Sequence, residues 1–218
     1  MQATPPDILS LEDSPHVLRP LQRRSREALA KIISAAELLL RTEGIDGFSI
    51  AAVAEKAGLP VGNIYRRFRA KEDILAVIKQ EVTDRIEQAV IQRLQEEQFT
   101  DIRRLVAALV DVLVKSFCRD EALHKVLFDR RVKDPALSQI GSLGRRHIYL
   151  QYRAVLTSVL PPLKTARTEL IATFSFQIIA SAIVGKASGN DGALVSMPWK
   201  TLATEASAAA VAYLEAAI

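Results

Sequence analysis

Residues 49–71, SIAAVAEKAGLPVGNIYRRFRAK, predict two short helices joined by a tight corner and followed by the start of a third helix. Ser49 suits the N-cap of a first helix over 50–56, because its hydroxyl can accept a hydrogen bond from an early backbone N–H. Gly58 can adopt the left-handed conformation that often ends a helix, and Pro60 suits the first position of the next helix. A corner of about three residues is typical of a DNA-binding helix-turn-helix.

The second helix, predicted over 60–68, has an apolar side and a polar, cationic side. Ile64 and Phe68 are four residues apart and are predicted to pack inward together. The rest of its surface carries Gly62, Asn63, Arg66 and Arg67. Small, polar and cationic residues at a helix N-terminus suit the DNA major groove and its phosphates. The second helix is therefore predicted to read DNA.

The same stretch resembles the N-terminal domain of the TetR family of bacterial transcriptional regulators. The positions of that family's pattern are held here by Ser49, Val53, Ala54, Ala57, Gly58, Leu59, Pro60, Val61, Gly62, Tyr65, Phe68 and Lys71. Pro60 departs from the pattern, because a serine is usual there and any contact from its hydroxyl is lost. Ala70 departs as well, since a small polar cap often precedes the lysine.

The resemblance implies which side chains contact DNA. Phosphate contacts are implied for Ser49, Tyr65, Arg67 and Lys71, with backbone N–H groups near Gly62 assisting. Base contacts are implied for Val61, Gly62, Asn63 and Arg66. Asparagine prefers adenine, arginine prefers guanine, and a valine methyl can meet a thymine methyl. Helical spacing from Ile64 also allows Val61 to turn inward, so both orientations of Val61 stay open.

Charge is distributed unevenly along the chain of 218 residues, whose net charge is +4. Residues 19–79 carry twelve basic and seven acidic side chains, whereas residues 1–18 carry three acidic and no basic ones. The basic excess therefore surrounds the helix-turn-helix, as a phosphate-binding surface requires. Residues 1–20, with their prolines and acidic side chains, are predicted to be a disordered tail.

Several classes of protein are disfavoured by the sequence. The single cysteine, Cys118, excludes an internal disulfide, fits a reducing cytoplasm and is predicted to be a core thiol. No apolar run reaches the roughly 18 residues of a membrane span, and the uncharged stretch over 170–185 is predicted to be a buried helix. There is no phosphate-binding loop, zinc-protease motif or nucleophile elbow, so we predict no enzyme and no cofactor. The histidines are too widely spaced to predict a metal site; they are His16, His124 and His147.

The rest of the sequence predicts an all-α protein. The predicted helices outside the corner cover 23–42, 71–95, 100–118, 121–130, 135–160, 165–186 and 198–217. We predict a DNA-binding domain over 21–75 and a helical effector-binding and dimerisation domain over 76–218. The helix over 165–186 is apolar nearly all round, and 204–217 is rich in alanine and serine. These two helices are predicted to pair with their copies in a homodimer, as in similar proteins.

In proteins that resemble this one, a small molecule enters a pocket of the C-terminal domain and changes the tilt of the helix that corresponds to 71–95. Candidate effector-binding residues are aromatic or isolated polar side chains at positions expected to face the core: Phe117, His124, Phe128, Tyr149, Tyr152, Arg153, Phe174 and Gln177. Ordinary core packing is the alternative for each of them. The predicted function is a ligand-responsive regulator, a repressor that binds palindromic operator DNA as a homodimer and is released by an apolar or aromatic effector. The alternative is a helical protein-interaction module or a small-molecule-binding protein that does not bind DNA.

Overall fold

The computed structural model describes residues 23–129, 134–189 and 192–218, so the predicted tail over 1–20 lies outside the described residues. Within these ranges the chain is helical and contains no strand, which confirms the predicted all-α fold. In chain order the helices are α1 (Arg23–Glu43), α2 (Ile50–Ala57), α3 (Val61–Tyr65), α4 (Lys71–Gln95), α5 (Ile102–Cys118), α6 (Glu121–Leu127), α7 (Pro135–Val159), α8 (Thr165–Ala187), α9 (Gly192–Val195) and α10 (Trp199–Ala217).

The chain divides into two compact units. The first contains α1 to α3, the part of α4 up to Thr83, and residues 134–141. In it α1 packs against α2, and α2 packs against α3. The apolar side chains that fill its core are almost completely buried, and they include Leu29, Ile32, Ile33, Ala36, Leu40, Phe48, Val53, Ile64 and Phe68. The buried side chains of α1 thus form one apolar stripe, and Phe48 points into the same core.

The second unit contains residues 84–129 and 142–218 among those described. In it α10 packs against both α5 and α8, and α6 packs against the same two helices. The buried side chains at these contacts include Leu105, Leu109, Ile171, Ile179, Ile183, Leu202, Ala210 and Leu214. The two units are defined by compactness alone. The functional domains over 21–75 and 76–218 therefore stay predictions.

The second helix of the corner is shorter than predicted. It covers Val61–Tyr65 instead of 60–68, and Pro60 occupies the N-cap with φ −59° and ψ 143° instead of the first helical position. The extended ψ of Pro60 places it before the first helical turn. Beyond Tyr65 the backbone tightens, because the Arg67 N–H bonds to the Ile64 carbonyl three residues earlier.

Among the described residues, α8 is the one helix long and apolar enough to cross a bilayer, judged by length and composition. It has 23 residues and a mean hydropathy of 1.6 over its most apolar window, half of which is buried inside the protein. The stretch over 170–185, predicted to be a buried helix, is only partly buried in the single chain, because one face of α8 is exposed. That face carries Leu170, Phe174, Gln177 and Ser181.

Cys118 is exposed at the end of α5, so its prediction as a core thiol is wrong. The preceding residue, Phe117, takes the inward position instead. Consecutive helical residues point about 100° apart, so these two side chains cannot share one face.

Candidate nucleic-acid interface

The corner between α2 and α3 is held by backbone geometry and one side-chain cap. The Ser49 hydroxyl accepts a hydrogen bond of 3.1 Å from the Ala52 N–H, as predicted for an N-cap. Gly58 has φ +64°, and its N–H donates to the Glu55 carbonyl at 3.1 Å. A Cβ at Gly58 would meet nothing within 4 Å, so glycine is favoured there by the left-handed backbone and not by lack of space.

The helix after the corner, α3, has one buried and one exposed side. Ile64 is buried within the first unit, whereas Val61 and Tyr65 are 42% and 55% exposed. Val61 therefore turns outward, and its predicted base contact stays a prediction. Gly62 is exposed too, and a Cβ on it would meet nothing within 4 Å. The outer side of α3 can therefore contact another molecule without any side chain of this protein having to move away first.

The two arginines that follow α3 have different surroundings. Arg66 is exposed, whereas Arg67 is only 9% exposed, and its Nη1 donates a 2.9 Å hydrogen bond to the Asn63 carbonyl. Burial lowers the pKa of Arg67 below its ordinary value, and the neighbouring positive charge of Arg66 lowers that pKa further. In the free protein the Arg67 side chain is therefore not exposed, as it would be if it were already placed to contact a phosphate.

The start of α4 is capped from within the helix. The Asp73 carboxylate accepts hydrogen bonds from the Arg69 N–H at 2.9 Å and from the Ala70 N–H at 3.2 Å. Asp73 thus binds early backbone donors on the N-terminal side of α4, even though position 70 is an alanine with no polar cap. Lys71 stands at the first position of α4 and is partly exposed, so its implied phosphate contact is sterically open.

The candidate effector-binding residues fall into separate groups. Phe117, His124 and Phe128 form an aromatic cluster at the junction of α5 and α6, with ring centroids 5.0 to 6.0 Å apart. The His124 Nδ1 lies 2.9 Å from the Phe117 carbonyl, which can only accept, so Nδ1 carries the proton. His124 is a buried residue whose polar atom is used in the core.

Tyr149, Tyr152 and Arg153 form a second group on α7 that contacts α8. Tyr152 is buried, and its hydroxyl lies 2.9 Å from the Ser175 Oγ. The Tyr149 hydroxyl donates to Glu169 at 3.2 Å, and Arg153 forms an ion pair with the same carboxylate. These polar groups link two helices of the second unit.

Phe174 and Gln177 lie on the exposed face of α8 and not at core-facing positions, which corrects their expected orientation. Phe174 is 54% exposed and packs on the Tyr213 ring of α10, with centroids 6.1 Å apart. The Gln177 amide donates to the Ser181 hydroxyl one turn later. Positions 174 and 177 are three residues apart and share a helical face, whereas Ile171 and Ile179 occupy the buried face.

Two surface cavities lie away from the candidate effector-binding residues. One, of about 340 Å³, lies along α4 and is lined by Gln88, Ile91, Gln92, Gln95 and Glu96. The other, of about 330 Å³, lies between α5 and α10 and is lined by Arg103, Ser207, Ala208, Val211, Ala212 and Glu215. Neither contains a residue predicted to bind the effector, so those assignments stay predictions.

Two buried lysines were missed by the sequence analysis. Lys79 lies on α4, and burial lowers its pKa to about 8 despite the opposing effect of Asp134. Lys186 lies near the end of α8, where its Nζ donates to the Val195 carbonyl at 2.9 Å and stands 4.9 Å from the Trp199 ring centroid. Lysine is usually exposed, so no residue pattern indicated burial at these positions.

Residues 32–78 match the family described as bacterial regulatory proteins, tetR family. These residues comprise most of α1, all of α2 and α3, and the first turns of α4. The match therefore covers the corner and the helix whose outer face is exposed. No curated protein sequence matches the chain.

Solved structures share the fold over most of the chain. A protein assigned to the TetR family of transcriptional regulators from Mesorhizobium loti MAFF303099 is 21% identical, with 89% of this chain and 98% of that chain covered and a TM-score of 0.64. FadR from Bacillus subtilis, solved in complex with stearoyl-CoA, is 18% identical, with 84% and 97% covered and a TM-score of 0.65. SmeT, solved in complex with triclosan, is 18% identical, with 85% and 90% covered and a TM-score of 0.63.

Proposed function

We propose that the chain, whose residues 32–78 match the tetR family of bacterial regulatory proteins, is a ligand-responsive repressor of transcription. In this proposal a homodimer binds a palindromic operator in the cytoplasm and leaves it when a small apolar or aromatic molecule binds the C-terminal domain. The protein acts by binding and performs no catalysis of its own.

The exposed outer side of α3 is the observation that carries this proposal. Val61, Gly62, Tyr65 and Arg66 are all exposed there, while Ile64 anchors the same helix in the core. A short helix with a buried anchor and a free, cationic outer side suits the major groove. We propose base contacts for Val61, Gly62, Asn63 and Arg66, and phosphate contacts for Ser49, Tyr65 and Lys71.

The proposed dimer uses the exposed faces of α8 and α10. The face of α8 presents Leu170 and Phe174, and α10, whose Tyr213 packs on Phe174, exposes Ala209 and Ala216 about one turn to either side of Tyr213. Large apolar side chains that stay exposed in the single chain are expected to be buried by a partner. Small residues on α10 let a second helix approach closely. A two-fold dimer would place its two α3 helices in successive major grooves, with half-site centres about 34–36 Å apart or a multiple of that.

An apolar effector is supported by the relatives and by the aromatic character of the second unit. FadR of Bacillus subtilis was solved with stearoyl-CoA, and SmeT was solved with triclosan. The cluster of Phe117, His124 and Phe128 offers apolar ring surface next to one polar group. We propose that an effector bound in the second unit favours one of two tilts of α4 and so changes the separation of the reading helices. A difference of a few kcal/mol in affinity between the two states is sufficient for this.

Binding to duplex DNA as a function of salt tests the proposal. The probe is a duplex selected by the wild-type protein from a random-sequence library, compared with an unselected duplex of the same length. If four or five phosphates are neutralised per subunit, log K should fall with log salt at a slope of about −7 to −9 per dimer. A flat salt response with no sequence enrichment would contradict the proposal and favour a helical module that does not bind DNA.

A further inference from the structure

Arg66 and Arg67 are neighbours in sequence but differ in what they can reach. Arg66 is exposed beside the outer side of α3, whereas Arg67 is buried. A side chain that contacts phosphates on the DNA surface has to present its charge to solvent in the free protein or uncover it on binding. The burial of Arg67 therefore indicates a role inside the protein.

The backbone at the end of α3 shows what that role is. The Arg66 N–H bonds to the Gly62 carbonyl at 3.2 Å, as in a regular α-helix. The next two N–H groups, of Arg67 and Phe68, both bond to the Ile64 carbonyl, at 2.9 and 3.0 Å. The Asn63 carbonyl thus loses the N–H that an α-helix would provide four residues later.

The Arg67 side chain replaces this missing donor. Its Nη1 donates to the Asn63 carbonyl at 2.9 Å, so the same residue whose N–H has moved away restores the hydrogen bond with its guanidinium. A cation also complements the partial negative charge at a helix C-terminus, and burial strengthens such a charge-assisted bond. A helix of only five residues has little stability of its own, so it is held by contacts such as this hydrogen bond and the buried Ile64.

We propose that Arg67 is a positioning residue: it holds the Asn63 end of the reading helix and thereby sets the orientation in which Asn63 and Arg66 meet base edges, without contacting a phosphate itself. This inference rests on the proposed function, because it concerns how the same helix selects its DNA sequence. It replaces the phosphate contact that the family resemblance implies for Arg67.

The test compares Arg67→Gln with Arg69→Gln in the full-length protein. Arg69 is exposed two residues away, so its substitution makes the same change in charge without touching the Asn63 carbonyl. Both variants and the wild type are titrated with the selected duplex and the unselected duplex over a range of salt concentrations. Lys71→Gln serves as the reference for a residue that is proposed to contact phosphate.

Arg67→Gln is expected to lower the preference for the selected duplex by about tenfold, the size of one good base contact, while the salt slope stays that of the wild type. Arg69→Gln should leave the preference unchanged. A slope flatter by about two per dimer, with equal losses on both duplexes, would identify Arg67 as a phosphate ligand and overturn the inference. An unchanged preference for the selected duplex would overturn it too.

A measurement without DNA keeps the inference testable if Arg67→Gln no longer binds. Amide hydrogen exchange over 62–68 should be faster in Arg67→Gln than in the wild type, because the end of α3 has lost a donor. Arg67→Met, which retains an apolar stem in the buried site, should show the same increase. Unchanged exchange in both variants would overturn the inference. A different result would contradict the proposed function itself: the wild-type protein would enrich no sequence from the random library.

Discussion

The Tyr152 hydroxyl lies 2.9 Å from the Ser175 Oγ and joins α7 to α8 within the second unit. The Ser175 hydroxyl donates its own proton to the Ala172 carbonyl at 3.2 Å, so Tyr152 is the donor of this pair. Burial raises the pKa of Tyr152 to about 12, although the hydrogen bond to Ser175 lowers it in part. Tyr152 is thus a satisfied core residue, and an effector would have to break this hydrogen bond to use the hydroxyl as a donor.

Tyr152→Phe is expected to lower the free energy of unfolding by about 1 kcal/mol, because one buried hydrogen bond is lost while Ser175 keeps its bond to Ala172. Urea denaturation measures the change. Tyr149→Phe is the matched control and should cost less, since Tyr149 is only partly buried. A larger loss for Tyr149→Phe would show that Tyr149 carries the more important contact between the two helices.

Gly58→Ala and Gly62→Ala should separate folding from DNA binding. Gly58→Ala is expected to cost about 1 kcal/mol of stability, because alanine at φ +64° is strained. Gly62 lies within α3 with open space around it, so Gly62→Ala should stabilise the fold by about 0.5–1 kcal/mol. Its added methyl should nevertheless weaken DNA binding if the backbone approaches the DNA closely. Denaturation and DNA titration of both variants measure these effects. If Gly62→Ala bound DNA as tightly as the wild type, the DNA would not approach the backbone at Gly62.

Arg66→Ala and Lys71→Ala should weaken DNA binding in different ways. Arg66 is expected to read a base, so its loss should cost about 1–3 kcal/mol on the selected duplex and relax the sequence preference at one position per half-site. Lys71 is expected to hold a phosphate, so its loss should weaken binding to all duplexes alike and reduce the magnitude of the salt slope. Titration of both duplexes distinguishes these effects, and the reverse pattern would refute the two assignments.

Phe174→Glu is expected to convert the proposed dimer into monomers, because it places a charge in the apolar face shared by α8 and α10. Phe174 is 54% exposed in the single chain, so folding itself should tolerate the change. Leu143→Glu makes a similar substitution at an exposed position of α7, where Leu143 is 46% exposed, and should leave the dimer intact. Sedimentation analysis measures both. A dimeric Phe174→Glu variant would show that this face is not the interface.

Lys79 should make stability depend on pH. Its pKa is about 8 in the folded chain, against 10.5 for an ordinary lysine. Below pH 8 both states hold the proton, and the cost of burying the charge is fully present. Between these two pKa values the unfolded chain holds more protons, so stability rises with pH, by roughly 3 kcal/mol over the window.

Lys79→Met should abolish that rise and make the protein more stable at neutral pH, because the buried charge is gone. Urea denaturation at several pH values between 7 and 10.5 measures the free energy of unfolding of the variant and of the wild type. Lys31→Met, at an exposed position of α1, is the control and should preserve the rise. If Lys79→Met kept the wild-type pH dependence, another group would be responsible for it.

The corner and α3 illustrate which features follow from residues close together in the sequence. The Ser49 cap, the left-handed Gly58 and the inward Ile64 were predicted correctly, since each depends on residues within a few positions of one another. The extent of α3 was wrong, because Arg67 gives its N–H to Ile64 and its guanidinium to Asn63. Residue type alone does not distinguish this arrangement from a continued helix ending in an exposed arginine.

The candidate effector-binding residues show a second limit. Phe174 and Tyr152 are both aromatic residues on long helices, and both were predicted to face the core. The structure buries Tyr152 against Ser175 and exposes Phe174 beside Tyr213. A helix that is apolar nearly all round has no strong periodicity to show which face its own chain covers, so only packing against α10 and α5 could decide it.

The sequence by itself determined the helical class and the corner, because capping, glycine conformation and apolar periodicity act over one or two helical turns. The tertiary structure alone decided which cations are buried and which apolar faces stay open. Burial depends on segments far apart in the chain: Lys79 lies near Gly141, and Lys186 lies over Trp199. No local pattern contains that information, since a lysine has the same intrinsic preferences whether or not a distant helix covers it.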